Sequence, residues 1–188
     1  MESVEPIRSK AQIDAMKKIL KHDSLRDYCL FVLGINSGLR VSDLLALRVE
    51  DVADERGKPL DRIVLREKKT GKAKDFPLSA SAQKAIREYL DTRSIRLQDP
   101  LFTSRANGYT LQRNAAYVII NRAARAVGIT DRIGTHTLRK TFGYHAYMMG
   151  VDITRIQKLL NHSSPGVTMA YIGITKDELD NVYMALDL

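Results

Sequence analysis

The sequence predicts one mainly α-helical domain that carries a small antiparallel β-hairpin. Three observations lead there. Apolar residues recur three and four positions apart through most of the chain, the spacing of one helix face. From Arg62 to Leu78 that period breaks, and RIVLRE and AKDFPL read as two short strands around KKTGK. A chain of 188 residues, 44% hydrophobic, supports one buried core and is short for two ordinary domains.

The elements follow in order. Ser9 is placed to cap a helix over SKAQIDAMKKIL, where Ile13, Met16, Ile19 and Leu20 share a face. A second helix runs from about Leu25 to Asn36 and stops at SGLR, and a third covers SDLLALR with Ser42 as its cap. The hairpin comes next, with Gly71 in its turn. Helical patterns return in SASAQKAIREYLDTR and, after a loop through PLFTSRANGYT, over residues 110–127. THTLRKTFGYHAYMMG, DITRIQKLLN, a short helix holding Tyr171, and TKDELDNVYMAL complete the chain. Gly128 and Gly150 stand where helices end, and Thr175 and Glu178 have capping-box spacing. The Ser-Ser-Pro-Gly turn at 163–166 is expected to separate His162 from the helix that carries Tyr171.

Charge narrows the partner. Thirty Lys and Arg against 22 Asp and Glu leave a net charge of +8, with a pI near 9.6. A polyanion fits, because each phosphate neutralised by Lys or Arg releases condensed counterions. A merely soluble basic surface is the plain alternative, and basicity does not choose among DNA, RNA and acidic protein. No apolar run approaches the roughly 20 residues of a membrane span, and MESVEPIRSK lacks the apolar stretch of a signal peptide. The single cysteine, Cys29 in DYCLFVLGI, reads as a buried small hydrophobe, and a reducing, cytoplasmic setting fits.

Several chemistries are set aside. His22, His136, His145 and His162 are scattered, without HExxH or paired-cysteine spacing, so no metal or cofactor is expected. TGKAK lacks the framing of a phosphate-binding loop, and G-x-S-x-G does not occur. What remains is a set of cations and hydrogen-bonding groups at turns and helix starts. Arg40 follows Ser37-Gly38, Lys69 is near the hairpin tip, and His136 and Arg139 are three apart in THTLRK. His162 follows a helix, and Tyr171 lies nine positions on. Singly, these read as a surface arginine, a solvated lysine, a cap residue and a half-buried aromatic.

Their order is more telling. SGLRVSDLLALRVEDV around Arg40, KKTGK around Lys69, HTLRKTF, LLNHSS and TMAYIG together resemble the tyrosine recombinases, the phage integrase family. The resemblance covers about residues 30 to 175 and corresponds to that family's catalytic domain. Family members often carry glutamate at the place of Asp43 and histidine at that of Lys140; neither change alters the residues that resemble the catalytic set. The resemblance implies site-specific strand transfer on double-stranded DNA through a 3′-phosphotyrosine, without ATP or metal. It assigns Tyr171 as nucleophile, Arg40 and Arg139 as phosphate clamps, and His162 as a further phosphate donor. His136 accepts or relays the tyrosine proton, Lys69 is the general acid, and Asp43 orients a neighbouring cation.

Elementary chemistry agrees. A phenol of pKa about 10 is a weak nucleophile that needs a proton acceptor and a cationic pocket. Attack builds charge on the non-bridging oxygens, which guanidinium forks hold bidentately. Lys72 and Lys74 on the hairpin and Arg113, Arg122 and Arg125 on helix 110–127 are candidates for DNA phosphates. Two rival readings remain: a type IB topoisomerase-like DNA relaxation activity, and a non-catalytic DNA-binding module of the same fold.

The expected organisation is a single catalytic domain over residues 1–188. About 29 residues precede the matching region, too few for the family's N-terminal core-binding, SAM-like domain. The chain is then either a piece of a longer recombinase or a compact one like the fimbrial-switch invertases. In the tail, 174–188, Ile174, Leu179, Val182 and Leu186 recur at roughly helical spacing. That helix is expected to dock on a neighbouring protomer in a DNA-bound tetramer, with packing on its own domain as the alternative.

Overall fold

A computed structural model describes residues 4–105, 108–174 and 176–186. Helix α1 (Lys10–Asp23) is capped as expected, Ser9 accepting from the Gln12 amide, and it buries Ile13, Met16 and Leu20. Ser24 then caps α2 (Leu25–Ser37) by accepting from the Asp27 amide. Cys29, Leu30, Phe31, Val32 and Leu33 are consecutive and all buried, so α2 is covered on every side. Its neighbours are α1, α4 (Ala80–Leu90) and α6 (Thr137–Met148). The α2–α6 approach is close, since a Cβ on Gly34 would lie 2.4 Å from a Leu138 methyl.

The third helix departs from expectation. It is a single turn, α3 (Val41–Leu44), and Arg40 occupies its N-cap position without a side-chain cap bond. Ser42 is therefore inside the helix, and the rest of SDLLALR turns toward a short 3₁₀ segment at Val49–Asp51. Strands β1 (Arg62–Arg66) and β2 (Ala73–Pro77) pair antiparallel, Ile63 facing Phe76 and Arg66 facing Ala73. Gly71 supplies the positive φ of the connection, +67°. Helix α5 (Arg113–Ala126) starts three residues later than the sequence suggests.

The last helices are α7 (Ile153–Leu159), α8 (Pro165–Ile172) and α9 (Lys176–Leu186). Ile156, Leu160 and Ile172 form a second apolar cluster, joined by Phe142, Tyr147 and Tyr171. The helix carrying Tyr171 thus rests on its own small core beside α6. Gly143 permits that approach, because a Cβ there would meet Ile172 at 2.7 Å. The Ser-Ser-Pro-Gly segment is less of a turn than expected: Ser164 caps α8 and Pro165 opens it. The capping-box partner Thr175 lies outside the described residues. Among the described residues, no helix is long and apolar enough to cross a membrane.

Candidate active site

The site begins where α2 ends. Gly38 adopts φ +60°, and a Cβ there would also lie 2.7 Å from the Phe142 ring, so two constraints select glycine. The Gly38 carbonyl accepts from Arg139 Nη1 at 2.5 Å and from Lys74 Nζ at 3.3 Å. Arg139, in the first turn of α6, is buried, and its other terminal nitrogen donates to the Leu160 carbonyl. Its guanidinium therefore bridges the C-terminal ends of α2 and α7, where helix carbonyls offer partial negative charge. Burial lowers its pKa, and the Arg40 charge adds to that effect.

Glu67 is the centre of the arrangement, and the sequence reading missed it. It follows β1 directly and is 1% exposed. Its carboxylate lies 2.7 Å from Arg40 Nη1 and 3.9 Å from Arg139 Nη1. Thr70 Oγ1 donates to it at 2.7 Å and Asn161 Nδ2 at 3.0 Å. Burial pushes the carboxyl pKa up, but hydrogen bonds from Thr70, Arg40 and Asn161 outweigh it and hold the group at about 2. Asn161 reaches it from the left-handed region, φ +49°, which Asn tolerates better than most residues.

Asp43 serves a different bond from the one expected. Its Oδ1 accepts from the Lys68 backbone amide at 2.9 Å, tying α3 to the base of the hairpin turn. Lys74, a candidate for DNA phosphate on the hairpin, does not point outward. It turns inward over Phe76 and donates to the Ser37 and Gly38 carbonyls, each at 3.3 Å. Burial, with the charges of Arg139 and Arg40, lowers its pKa to about 8. Arg40, Arg139 and Lys74 outnumber Glu67 and Asp43, and the charges of Arg113, Lys140 and Lys69 reach the same pocket, so it is cationic and suited to a phosphodiester.

Tyr171 stands over this floor, half-buried, near two histidines. Its hydroxyl is 3.4 Å from His136 Nδ1, and its ring centre is 4.7 Å from that of His162. Burial raises the phenol pKa, while Arg139 and Arg40 pull it back. His136 occupies the N-cap position of α6 with no side-chain cap bond, so its ring is available. Burial lowers its pKa, and the charges of Arg113, Arg139, Lys140 and Lys69 lower it further, favouring the neutral, proton-accepting ring. His162 is lowered to about 4 by burial, Arg139 and Arg40. Its Nδ1 is 3.2 Å from Thr168 Oγ1, whose own proton goes to the Ser164 carbonyl. Ser163 and Ser164 separate His162 from α8 along the chain, as expected, but the His162 ring is bonded back to that helix.

Other cations fall into two groups. Lys69 and Lys72 are exposed at the hairpin tip. Arg113 begins α5 beside the site, with Nε 3.3 Å from Thr135 Oγ1. Arg122 and Arg125 are engaged elsewhere: Arg122 pairs with Asp23 at 3.6 Å, and Arg125 donates to the Ile129 carbonyl. Lys140 is closer than the sequence implied, its Nζ 5.2 Å from the centre of the Tyr171 ring.

The fold is that of a tyrosine recombinase catalytic domain. A crystal structure of the XerH site-specific recombinase bound to palindromic difH substrate, in a post-cleavage complex, matches with a TM-score of 0.77. That match has 19% identity and covers 100% of this chain and 55% of the other. The chain belongs to the phage integrase family, whose profile matches residues 8–178. That span starts well before residue 30 and takes in α1. The probable integrase/recombinase YoeC of Bacillus subtilis is 43% identical over 183 residues, 97% of each chain. The tyrosine recombinase XerC of Thermodesulfovibrio yellowstonii is 32% identical over 84% of this chain and 53% of its own length. This chain thus spans about half the length of that relative.

Proposed function

We propose that this protein is a site-specific DNA recombinase that cleaves and rejoins strands through a 3′-phosphotyrosine at Tyr171. The observation that carries the reading is the Tyr171 hydroxyl directed at His136 Nδ1, 3.4 Å away, over a floor held by Arg40 and Arg139. Catalytic hydrogen bonds in unliganded sites are often long and tighten on the substrate.

In this scheme the Tyr171 oxygen forms a bond to the scissile phosphorus, and its proton passes to His136. The bond from phosphorus to the 5′-oxygen breaks, and Lys69 protonates the leaving oxygen from the hairpin tip. Arg40 and Arg139 hold the non-bridging oxygens, with His162 alongside. A 5′-hydroxyl of another strand then attacks phosphorus, restoring a diester and the phenol. Bond energy is kept in the phosphotyrosine, so ATP is not consumed. Lys72 and Arg113, exposed near the site, take flanking phosphates. Glu67 supports the cations from below, and Asp43 fixes the base of the hairpin turn through the Lys68 amide.

The protein acts on double-stranded DNA in the cytoplasm, and residues 1–188 form a catalytic domain. On DNA it assembles as a tetramer, with α9 as the exchanged helix; the exposure of Tyr183, Met184 and Leu186 supports that assembly.

The test is a duplex selected from a randomised library for binding, then nicked beside the scissile position so that the cut strand diffuses away. The wild type accumulates a covalent adduct, and Tyr171→Phe binds the duplex equally but forms none. Absence of an adduct in the wild type, or its persistence in Tyr171→Phe, would overturn the reading. Exchange between two sites on a plasmid separates recombination from simple relaxation.

A further inference from the structure

Beyond the residues that resemble the catalytic set, one buried cation lies over the tyrosine ring. Lys140 follows Arg139 on α6, is 4% exposed, and holds its Nζ 5.2 Å from the centre of the Tyr171 ring. A cation at that range is attracted to the ring face. The attraction grows as the phenol loses its proton and negative charge develops on it. The segment before α1 straps this pair together. The Ile7 amide donates to Thr141 Oγ1 at 2.9 Å, and the Ile7 carbonyl lies 2.9 Å from His145 Nε2, both on α6. Arg8 Nη2 donates to the Gly173 carbonyl at 2.7 Å, just past the end of α8, and to Glu5 at 3.0 Å. Burial lowers the Lys140 pKa, Glu5 opposes that, and Arg8 adds to it.

We propose that Lys140 is a positioning residue for strand cleavage, seating the Tyr171 ring and stabilising the phenolate as it forms, with the strap of residues 4–9 holding both partners. The inference rests on Tyr171 being the nucleophile. Tyr171 is also faced by Arg40, Arg139, His136 and His162, and Lys140 by Glu5 and Arg8. These groups are common to the wild type and both Lys140 variants compared below, so a ratio of their rates isolates Lys140.

Single-turnover cleavage of the nicked duplex described above is measured for the wild type, Lys140→Met and Lys140→Arg from pH 7 to 10. Lys140→Met should cleave about tenfold more slowly at pH 7.5, with unchanged DNA affinity, as loss of one close cation implies. Lys140→Arg should stay within about twofold of the wild type, because arginine keeps the charge. The wild-type advantage over Lys140→Met should shrink as pH rises and Lys140 loses its proton, whereas the advantage of Lys140→Arg should persist. Glu5→Gln provides a variant that leaves Lys140 in place, and its rate relative to Lys140→Arg should fall at lower pH than the wild-type rate does. Equal rates in the wild type and Lys140→Met, or a ratio that does not change with pH, would overturn the proposal while leaving Tyr171 as nucleophile. No adduct in the wild type would overturn both.

Discussion

Glu67→Gln tests the arrangement beneath the pocket most directly. The change keeps an acceptor for Thr70 and Asn161 but removes the charge that faces Arg40 at 2.7 Å and Arg139 at 3.9 Å. The Glu67 carboxyl is held at about 2, against an ordinary value of 4.5. A difference of that size corresponds to about 3 kcal/mol at neutral pH. Removing one partner from a buried pair costs about 3–5 kcal/mol by mutational precedent, which agrees in order. The sign follows from linkage. A carboxyl depressed by folding stabilises the native state above its unfolded pKa, and that contribution disappears as pH falls through its folded pKa. The gap between wild type and Glu67→Gln should therefore be level above about pH 5, fall below half by about pH 3, and vanish below about pH 2. Urea unfolding reads it. With a slope of about 2–3 kcal/mol per molar for a domain of this size, the midpoint should drop by about 1 M at pH 7. A gap under about 1 kcal/mol at pH 7, or one undiminished at pH 3, would refute the reasoning. The first result would mean that Arg40 gains its stability elsewhere, and the second that glutamine merely packs badly.

Two further outcomes follow from the same cluster. Gly38→Ala should destabilise the fold by about 2 kcal/mol, from left-handed backbone and the Phe142 contact together. Its cleavage rate should fall further than its stability accounts for, because the Gly38 carbonyl accepts from both Arg139 and Lys74; differential scanning calorimetry beside the adduct assay separates the two effects. Lys74, at about 8 in the free protein, should take up a proton when a phosphate enters the pocket. Binding enthalpies measured at pH 8.5 in two buffers of different ionisation enthalpy should reveal that uptake, and Lys74→Met should abolish it.

How much of this was legible depends on the distance over which each contact acts. The helices were readable because each carries its own cap and apolar face, as Ser9 and Ser24 show. Five of the six motif residues gather around the pocket, although each motif lies on a different loop or helix end; Lys69 stands exposed at the hairpin tip, its charge felt at His136. Part of the rest carried a local signal. Strand alternation puts Glu67 on the face of Ile63 and Leu65, and Lys74 on that of Phe76, the inward side in both cases. Likewise, nine residues along an α-helix is two and a half turns, so Arg122 faces away from Arg113 and the two do not line one groove. Lys140 differs from all of these. Its neighbours arrive through the Ile7–Thr141 and Arg8–Gly173 bonds, between residues 134 and 165 positions apart. Neither end of those bonds carries a capping, turn or periodic signal that names its partner. A lysine directly after the pocket arginine therefore reads as a neutral substitution in one dimension, and only the folded chain places its charge against the tyrosine.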